Sequence, residues 1–330
     1  MIRLLITLGD PAGIGPEVLL AALSRRSRPK ASLTILGDLQ LLRSLARRLR
    51  IPVPWSSYEW MDLPALAGIR PGRIQPAAGR AAHAALCEAV RRLRAGQAEA
   101  LVTGPVSKEA IAQAGIPWRG HTEFLQERFH RRATMMFVTG SFRVSLVTTH
   151  WAIRQVPARL RRMEVVRVLK ATREALVRDF GIRRPRLGLA ALNPHAGEGG
   201  MFGEEERRVL LPAVKEFGSA SLEGPLPADS LMQRAAQGAY DAVVALYHDQ
   251  ALIPVKLLGW DRAVNVTLGL PFVRTSPVHG TAFDLARTGK ANPASMRAAI
   301  SLAIQLAHRR ITGCLSPVLG RPSRTVRNIP

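Results

Sequence analysis

The sequence predicts an α/β protein with a largely parallel sheet. Short apolar runs typical of buried strands alternate with amphipathic helical patterns along most of the chain. Several of these runs end abruptly in polar residues, and residues 243–246 are followed by His248, Asp249 and Gln250. Because ligands of open α/β sheets bind at the carboxyl ends of the strands, we expect the functional residues at these strand ends.

The N-terminal part of this pattern is a strand from Leu4 to Leu8, followed by a loop rich in glycine and proline. A helix is predicted to begin near Pro16, since proline is common in the first turn of a helix. The loop lacks the G-x-G-x-x-G spacing of the Rossmann fingerprint, so by itself it indicates a tight turn more than a phosphate-binding loop. Residues 51–76, rich in proline and tryptophan, are expected to be irregular.

The same alternation continues without an internal repeat or a low-complexity tail. Further strands are predicted at residues 33–36, 100–103, 134–138, 143–149, 186–192, 243–246 and 264–268. The strands at 134–138 and 143–149 should form a hairpin across Gly140 and Ser141. Helices are predicted at residues 77–95, 159–180, 204–217 and 229–237, and in the stretch that follows residues 120–123.

The composition is that of a soluble globular protein. Of the 330 residues, 47% are hydrophobic and 22% are charged. No apolar run approaches the roughly 20 residues of a membrane span. The apolar stretch at the N-terminus is too short for a signal-peptide core. Cys87 and Cys314 show no motif spacing. We therefore expect a cytoplasmic protein with no membrane partner.

The formal net charge of +23 raises the question of nucleic-acid binding. Only six of the 47 basic residues are lysines, and the arginines are scattered through predicted helices instead of forming one basic arm. No zinc-finger spacing or aromatic RNA-binding motif accompanies them. The pattern favours solvated helix faces and no nucleic-acid partner, with a basic nucleic-acid-binding protein as the distant alternative. Such a charge would also attract anionic substrates at low salt.

Three histidines follow predicted strands, namely His150, His195 and His248. A single histidine at a strand end is usually packed or hydrogen-bonded, whereas three of them beside polar or glycine-rich sequence indicate a metal site. Three histidines with an open position are typical of a catalytic divalent metal such as zinc. The long spacing between them leaves both interpretations open from the residues alone.

Cationic and amide side chains recur in the second half of the chain. Lys256, Asn265 and Arg274 lie at intervals of nine residues. Lysine and arginine with an amide could hold a phosphate or a carboxylate. Alternatively, the three residues only flank the strand at 264–268.

Two further candidates stand at predicted helix starts. Lys108 follows the strand at 100–103, where it is either a surface lysine or a ligand contact. His121 could meet an anion at the start of the next helix. Thr122 and Glu123 could instead only cap that helix.

Seven motifs, in order along the chain, resemble the family of 4-hydroxythreonine-4-phosphate dehydrogenases. They lie at residues 9–17, 104–108, 120–123, 148–150, 193–198, 247–250 and 264–271. Each is weakly specific alone, but together they are highly specific and cover most of the chain. The resemblance implies an enzyme of pyridoxal phosphate biosynthesis that oxidises 4-phosphooxy-L-threonine (4-hydroxy-L-threonine 4-phosphate) at C3 with NAD or NADP. The resulting β-keto acid would lose carbon dioxide to give 3-amino-2-oxopropyl phosphate.

The resemblance also implies roles for individual residues. A divalent metal, preferably zinc with magnesium and cobalt as alternatives, would be bound by His150, His195 and His248. Substrate binding is implied for His121, Thr122, Lys256, Asn265 and Arg274. The metal would polarise the C3 oxygen and stabilise the enolate formed on decarboxylation. The base that takes the hydroxyl proton is not evident, and the candidates are Asp249 and Lys108.

The same resemblance implies a homodimer of subunits with two α/β/α domains each. The active site would lie in the cleft between the domains and take one metal ligand from the partner subunit. By analogy with the decarboxylating dehydrogenases, we place residues 1–125 and 275–330 in a nucleotide-binding domain. Residues 126–274 would form the domain for metal binding, substrate binding and dimerisation.

A second resemblance concerns the nucleotide. Residues 279–284, with Asn292 beyond, are similar to the nucleotide loop of isocitrate and isopropylmalate dehydrogenases, which also oxidise and decarboxylate a hydroxy acid. The resemblance implies cofactor contacts for His279, Gly280, Thr281, Ala282, Asp284 and Asn292. Asp284 stands where the NADP-using members have a lysine. A carboxylate suits a free ribose hydroxyl and repels a 2′-phosphate, so we expect NAD.

Two departures from the family pattern and two alternative substrates complete the prediction. Residues 151–153 replace an expected Leu-Pro-Leu-like run, and Arg287 replaces a glycine, which would alter the fit of the adenosine. The main alternative is a dehydrogenase of the same fold for 4-phospho-D-threonate or 4-phospho-D-erythronate. A more distant relative oxidises a cyclic dihydrodiol dicarboxylate. Residues 120–123, together with the set at 256, 265 and 274, favour a phosphorylated substrate.

Overall fold

The computed structural model describes residues 1–24, 31–63 and 68–313. The chain divides into two compact units. Unit 1 comprises Met1–Ala133 and Leu270–His308, and unit 2 comprises Thr134–Gly269 and the described residues 309–313. The sequence prediction set the corresponding boundaries at residues 125 and 275. Cys314 lies outside the described residues.

Strands and helices alternate along the chain. The strands are β1 (Ile2–Thr7), β2 (Ala31–Gly37), β3 (Glu59–Asp62), β4 (Ala100–Thr103), β5 (Thr134–Thr139), β6 (Phe142–Leu146), β7 (Leu187–Ala190), β8 (Leu222–Leu226), β9 (Ala242–Ala245), β10 (Val264–Leu268) and β11 (Val273–Pro277). The helices are α1 (Gly15–Leu23), α2 (Leu39–Leu49), α3 (Pro76–Arg94), α4 (Lys108–Gln113), α5 (His121–Phe129), α6 (Val156–Arg159), α7 (Arg162–Arg178), α8 (Leu211–Phe217), α9 (Ala228–Ala236), α10 (His248–Gly259) and α11 (Ala294–Thr312). A π-helical turn, Glu206–Leu210, runs into α8. Among the helices of the described ranges, none is long and apolar enough to cross a membrane.

Unit 1 is built on a parallel sheet with the strand order β3-β2-β1-β4-β11. On β1, Leu4 pairs with Leu33 of β2 and with Ala100 of β4. Leu4 and Ile6 are fully buried, as expected for a parallel strand that is covered on both faces. Because all these strands run the same way, the loops after β1, β4 and β11 leave the sheet at one edge.

Unit 2 is built on a mixed sheet with the strand order β10-β5-β6-β9-β7-β8. β5 and β6 form an antiparallel hairpin across Gly140, whose φ of 56° suits glycine. β10 pairs with β5 in the antiparallel sense. From β6 onwards the neighbours β9, β7 and β8 are parallel. The carboxyl ends of β6, β9 and β7 therefore lie side by side at one edge of this sheet.

The α/β class predicted from the sequence is confirmed, and so is the hairpin. The prediction that residues 51–76 are irregular is wrong for β3, a short edge strand whose terminal residues Glu59 and Asp62 are exposed. β3 lacks an apolar run and gave no signal for that reason. β8 contains Gly224 and Pro225, which are unusual inside strands. β11 is entirely buried although it contains Arg274, so polarity hid this strand.

Candidate functional site

Two of the three predicted metal ligands lie side by side in unit 2. His150 follows β6, His248 opens α10 directly after β9, and their ring centroids are 5.8 Å apart. Because β6 and β9 are parallel neighbours, their carboxyl ends bring both histidines to the same edge. Both line a cavity of about 260 Å³, together with Thr149, Tyr247 and Asp249.

Two sets of hydrogen bonds hold the segments that carry these histidines. The hydroxyl and the backbone N–H of Thr148 both donate to the Leu246 carbonyl, at 2.6 and 3.1 Å, and join the ends of β6 and β9. Gln250 accepts a hydrogen bond from the Leu246 N–H at 2.6 Å and donates to the Ala191 carbonyl at 2.7 Å. The second set joins the start of α10 to the end of β7. Since Gln250 is buried, these bonds fix the position of the neighbouring His248.

His195 lies in the loop after β7, where five consecutive residues from His195 to Gly199 have positive φ. This conformation is unfavourable for residues other than glycine, so surrounding contacts must hold it. Glu206 supplies such contacts next to the loop. Its carboxylate accepts hydrogen bonds from the Leu192 N–H at 2.8 Å and from the Asn193 N–H and side-chain amide at 2.9 and 2.8 Å. Burial opposes ionisation of Glu206, but these hydrogen bonds outweigh it and lower the pKa of its carboxyl.

The three histidines are not assembled within one chain. Residues 1–24, 31–63 and 68–313 contain no group of three His, Cys, Asp or Glu side chains that could hold one metal ion. His195 is exposed, and its ring centroid lies 6.1 Å from that of Phe202. The metal role of the three histidines therefore stays a prediction, and the structure brings together only His150 and His248.

Asp249, one of the two candidate bases, contacts a histidine. Its Oδ1 lies 2.7 Å from Nδ1 of His248. An imidazole whose Nδ1–H donates to a carboxylate keeps the lone pair of Nε2 for a metal or a substrate. The contact thus gives Asp249 an orienting role, whereas its role as a base stays a prediction.

Two of the predicted substrate ligands also belong to unit 2. Lys256 is exposed on α10, with its ammonium 4.5 Å from the ring centroid of Trp260. Asn265 lies on β10, opposite Phe137 of β5. Its Oδ1 is buried and has no hydrogen-bond partner in the part of the chain that the structure describes. That atom is available to a ligand, because buried polar atoms are normally paired.

Arg274 is a buried cation of unit 1. It lies on β11, is 2% exposed, and donates from Nη2 to the Thr103 hydroxyl of β4 at 2.6 Å. Burial lowers its pKa to about 10, while the charge of Glu123 acts in the opposite direction. The guanidinium is therefore still charged at neutral pH, and the sheet interior holds a positive charge suited to an anionic ligand.

Lys108 adds a second positive charge to this site, and His121 adds a neutral imidazole. Burial lowers the pKa of His121 well below its usual value, and the charges of Arg274 and Lys108 lower it further. The imidazole is thus neutral at neutral pH. Its Nε2 is buried and lacks a hydrogen-bond partner among the described residues. An anionic ligand at Nε2 would be attracted by the charges of Arg274 and Lys108, which already act on this imidazole.

The first turn of α5 carries both His121 and Thr122. The helix begins after Gly120, which has no side chain to cap it. A Cβ at this glycine would lie 2.6 Å from Oε2 of Glu123, the end of a flexible side chain that can move aside. Helix N-termini bind phosphates through their backbone N–H groups and the helix dipole.

The predicted nucleotide loop follows β11 and packs against the loop after β1. The Ile14 N–H donates to the Thr281 carbonyl at 2.9 Å. A Cβ at Gly13 would lie 2.7 Å from the same oxygen, so this close approach requires glycine. At the other end of the loop, the Ala291 N–H donates to Oε1 of the buried Glu17 at 3.2 Å. Both ends of the loop are thus tied to the β1–α1 segment.

Within this loop, His279 is a partly buried member of the predicted cofactor ligands. Burial lowers its pKa, with an opposing contribution from the Gly280 carbonyl, which lies 3.1 Å from Nδ1. Its Nε2 is buried without a hydrogen-bond partner in the described ranges. Ala282 adopts a left-handed conformation with φ of 38°, Asp284 is exposed, and Asn292 accepts a hydrogen bond at the start of α11.

Arg287, which replaces an expected glycine, has a φ of 62°. That backbone conformation favours glycine, so the arginine is strained there. Burial and the charge of Arg48 both lower the pKa of Arg287. The adenosine side of the predicted loop therefore differs from the family pattern in charge and in side-chain bulk.

Asp10 is a buried carboxyl to which the sequence prediction gave no role. Its Oδ1 accepts a hydrogen bond from the Ala12 N–H at 2.8 Å, and its own N–H donates to the Pro105 carbonyl at 2.8 Å. Burial raises the pKa of Asp10, while hydrogen bonds from the Ala12 and Ser107 backbones oppose the rise. The sequence did offer a signal for Asp10, because it is a carboxylate that closely follows a predicted strand. For Gln250 and Glu206 no sequence signal shows which backbone groups they bind.

Comparison with known proteins decides the family. The family model described as pyridoxal phosphate biosynthetic protein PdxA matches residues 29–303. The chain belongs to the PdxA family. A 4-hydroxythreonine-4-phosphate dehydrogenase from Geobacter metallireducens is 42% identical over 96% of this chain and 98% of that protein. One from Methylorubrum extorquens is 43% identical over 93% of this chain and 95% of that protein. The predicted family and the oxidoreductase class are confirmed.

Solved structures agree with this PdxA assignment. The 4-hydroxythreonine-4-phosphate dehydrogenase of Klebsiella pneumoniae is 37% identical, with a TM-score of 0.83 over 93% of this chain and 98% of that one. A terephthalate 1,2-cis-dihydrodiol dehydrogenase from Burkholderia xenovorans is 31% identical, with a TM-score of 0.63 over 92% of this chain and 98% of that one. The first of these two proteins is named for a phosphorylated substrate, and the second for an unphosphorylated one.

Proposed function

We propose that this PdxA-family chain oxidises 4-phosphooxy-L-threonine at C3 with NAD and decarboxylates the product to 3-amino-2-oxopropyl phosphate, a step in pyridoxal phosphate biosynthesis. The observation that carries the proposal is the positive site of unit 1, where the charges of buried Arg274 and of Lys108 both act on a neutral His121. Such a site suits a phosphate dianion. The relatives are named for a phosphorylated hydroxythreonine.

The phosphate of the substrate is bound by Arg274, by Nε2 of His121 and by the first turn of α5, which includes Thr122. Arg274 already donates to Thr103, which fixes the orientation of its guanidinium. A guanidinium of fixed orientation offers two parallel N–H groups to two phosphate oxygens. Lys256 and Asn265 are proposed to bind the amino-acid part of the substrate, since the buried Oδ1 of Asn265 is an acceptor suited to an ammonium group.

A divalent metal, zinc in the first instance, is proposed to bind to His150 and His248. The donors fit this role, because the imidazoles are adjacent, line one cavity, and include a histidine oriented by a carboxylate. When bound, the metal supplies a Lewis acid that favours loss of the C3 hydroxyl proton and stabilises negative charge during decarboxylation. Asp249 orients His248, and Asp249 and Lys108 are the candidates for accepting the proton.

His195 of a second subunit is proposed to complete the metal site in a homodimer. His195 is exposed in a loop of fixed conformation, together with Phe202. Ile253 and Leu257 on α10 and Trp260 directly after it form an apolar stripe, and Leu257 is 82% exposed. Large exposed apolar patches mark protein interfaces, so a second copy that covers this stripe also accounts for the exposure.

NAD is proposed to bind at the loop of residues 279–292 and to accept the hydride. The exposed carboxylate of Asp284 suits a ribose with a free 2′-hydroxyl. His279 is held against Gly280 and is neutral at neutral pH because its pKa is lowered. It can therefore contact the nucleotide without attracting a 2′-phosphate. A clearly lower KM for NADP than for NAD would contradict this choice.

The proposed function is tested by following NAD reduction by the zinc-loaded protein. The substrates are 4-phosphooxy-L-threonine, 4-phospho-D-threonate and 4-phospho-D-erythronate, each with and without a chelator. We expect turnover of the amino acid alone and its loss on chelation. Turnover of a phosphorylated sugar acid instead would replace the proposed substrate by the alternative. Turnover that survives complete metal removal would refute the metal role.

The shared site is tested by mixing two inactive variants, His195→Ala and His248→Ala. If the third ligand comes from the other subunit, each mixed dimer contains one intact site and one doubly altered site. Random exchange makes half of the dimers mixed, so activity should recover to about a quarter of the wild-type value. No recovery after exchange, with mixed dimers shown by native mass spectrometry, would place all three ligands in one chain.

A further inference from the structure

We propose that unit 1 has a second binding site, for a small phosphorylated aromatic molecule, at the C-terminal end of α2. A cavity of about 660 Å³ opens there. This volume lies within the roughly 300–1,000 Å³ typical of small-molecule sites. The side chains that matter are Arg43, Arg47, Arg50, Ile51, Pro52 and Trp55. None of them belongs to the substrate, cofactor or metal residues assigned above.

Three arginines line the cavity. Arg43 and Arg47 are four residues apart and lie on one face of α2, and Arg50 follows at its C-cap. All three are exposed, and no ion pair among the described residues includes any of them. Like charges at this spacing repel each other, and a bound anion would relieve the repulsion. The helix dipole favours cations in the last turn, which accounts for Arg47 and Arg50 but not for Arg43 or for the indole beside it.

Arg50 adds an observation from the backbone. It stands at the C-cap of α2 in the left-handed conformation, with φ of 53° and ψ of 41°. Glycine is the usual residue there, and asparagine the next. The backbone conformation therefore does not explain why an arginine stands at this position. A role of its charge in binding an anion in the cavity would explain it.

Trp55 supplies a fixed aromatic surface. The Arg43 guanidinium lies 5.8 Å from the centroid of the Trp55 ring. Trp60 packs on Trp55 with ring centroids 4.8 Å apart, and its indole N–H donates to the Trp55 carbonyl at 2.8 Å. An aromatic ligand ring can pack against a held indole while the arginines bind an attached phosphate. The arrangement thus selects for both an anion and a flat ring.

The ligand class follows from this chemistry and does not depend on the proposed function. The choice of the first probe does rest on the proposed function. The family is named for the biosynthesis of pyridoxal phosphate, which is a phosphorylated aromatic ring. Pyridoxamine 5′-phosphate has the same ring and phosphate but no aldehyde that could react with lysines. Adenosine 5′-monophosphate is the second probe, since a mononucleotide offers the same chemistry from another source.

The test is isothermal titration of the full chain with each probe, in the presence of saturating NAD so that the proposed cofactor loop is filled. The variants are Arg43→Gln with Arg47→Gln, and Trp55→Leu. The control is Arg183→Gln with Arg184→Gln, which makes the same charge change at exposed residues of unit 2. We expect one probe to bind, and both test variants to weaken it at least about tenfold, since each removes a charge-assisted or aromatic contact. The control variant and the wild type should bind alike, and pyridoxamine or adenosine should bind far more weakly.

The proposal is overturned if neither probe binds, if the arginine variant binds as the wild type does, or if inorganic phosphate binds as tightly as the probes. Tighter binding of a single-stranded oligonucleotide with the same residue dependence would overturn it in favour of a nucleic-acid surface. The arginine variant alters only exposed side chains, so it decides the matter even if Trp55→Leu unfolds. The dehydrogenase turnover of the arginine variant should be unchanged. Because the titration does not depend on turnover, its result stays interpretable even if the proposed function fails.

Discussion

Replacing Gln250 with leucine should destabilise unit 2 and weaken its metal site together. Leucine has a similar size but no polar atoms, so the Leu246 N–H and the Ala191 carbonyl would both lose their partner. Leu246 is fully buried and Ala191 is 1% exposed, so water cannot replace the amide easily. The substitution changes neither His150 nor His248 itself.

The expected magnitude follows from counting these two groups. A buried backbone group left without a partner costs about 1–3 kcal/mol, so the two together cost about 2–6 kcal/mol. That is a large fraction of the roughly 5–15 kcal/mol by which domains are usually stable. Because Gln250 also fixes the start of α10, zinc affinity at His150 and His248 should fall about 10–100-fold, as is common when a group that orients metal ligands is lost.

The assay combines urea unfolding in the presence of a chelator with zinc titration of the folded protein. The control is Gln305→Leu, because Gln305 is exposed on α11 and donates to the Ser301 hydroxyl at 3.1 Å. Surface changes of this kind alter stability by less than about 0.5 kcal/mol. If Gln250→Leu lowered the free energy of unfolding by less than about 1 kcal/mol, the proposed cost of the two unpaired groups would be refuted. Lower stability with unchanged zinc affinity would refute the link to His248.

Three further predictions concern single residues. Arg274→Lys should raise the KM for the phosphorylated substrate about 10–100-fold, because lysine cannot offer two parallel donors, while the weak turnover of 4-hydroxy-L-threonine changes little. The folded-state pKa of His121 is lowered, so its contribution to stability is intact above the unfolded pKa of about 6.5 and falls with the pH below it. Between pH 7.5 and 5.5, the free energy of unfolding should therefore fall less in His121→Gln than in the wild type. An equal fall in both proteins would contradict the lowered pKa. The Glu206 carboxyl has a lowered pKa, so Glu206→Gln should cost about 2 kcal/mol at pH 7, and the difference should shrink as the pH falls through the range below about 4.5. Glu205→Gln, which removes only one contact to Asn193, is the control in the same urea experiment.

The sequence was sufficient for the elements that place the site. The loops after β4, β6, β7 and β9 were all predicted, because buried parallel strands are continuous apolar runs that end in polar residues. From this pattern the residues His150 and His248 were correctly expected at strand ends, and the parallel pairing of β6 and β9 explains why they meet. The order of strands in the sheet was not predictable from the pattern.

Three kinds of feature could not be predicted from the sequence. Strands with buried polar residues, such as β11 with Arg274, do not show an apolar run. Hydrogen bonds between distant segments, such as those of Gln250 to Leu246 and Ala191, depend on strand order and leave no local signal. Finally, the loop of His195 has positive φ at residues other than glycine, which its composition did not indicate. The described residues do not join His195 to the other two histidines in one metal-binding group.

The most direct test of the central claim uses 4-phosphooxy-L-threonine with a ¹³C label in the carboxyl group. NADH is followed by absorbance, and labelled carbon dioxide is measured in the same reaction by mass spectrometry. We expect equal amounts of NADH and labelled carbon dioxide, and a chelator should abolish both. NADH formed without labelled carbon dioxide would remove decarboxylation from the proposed reaction. Formation of neither product by the zinc-loaded, folded protein would contradict the proposed function itself.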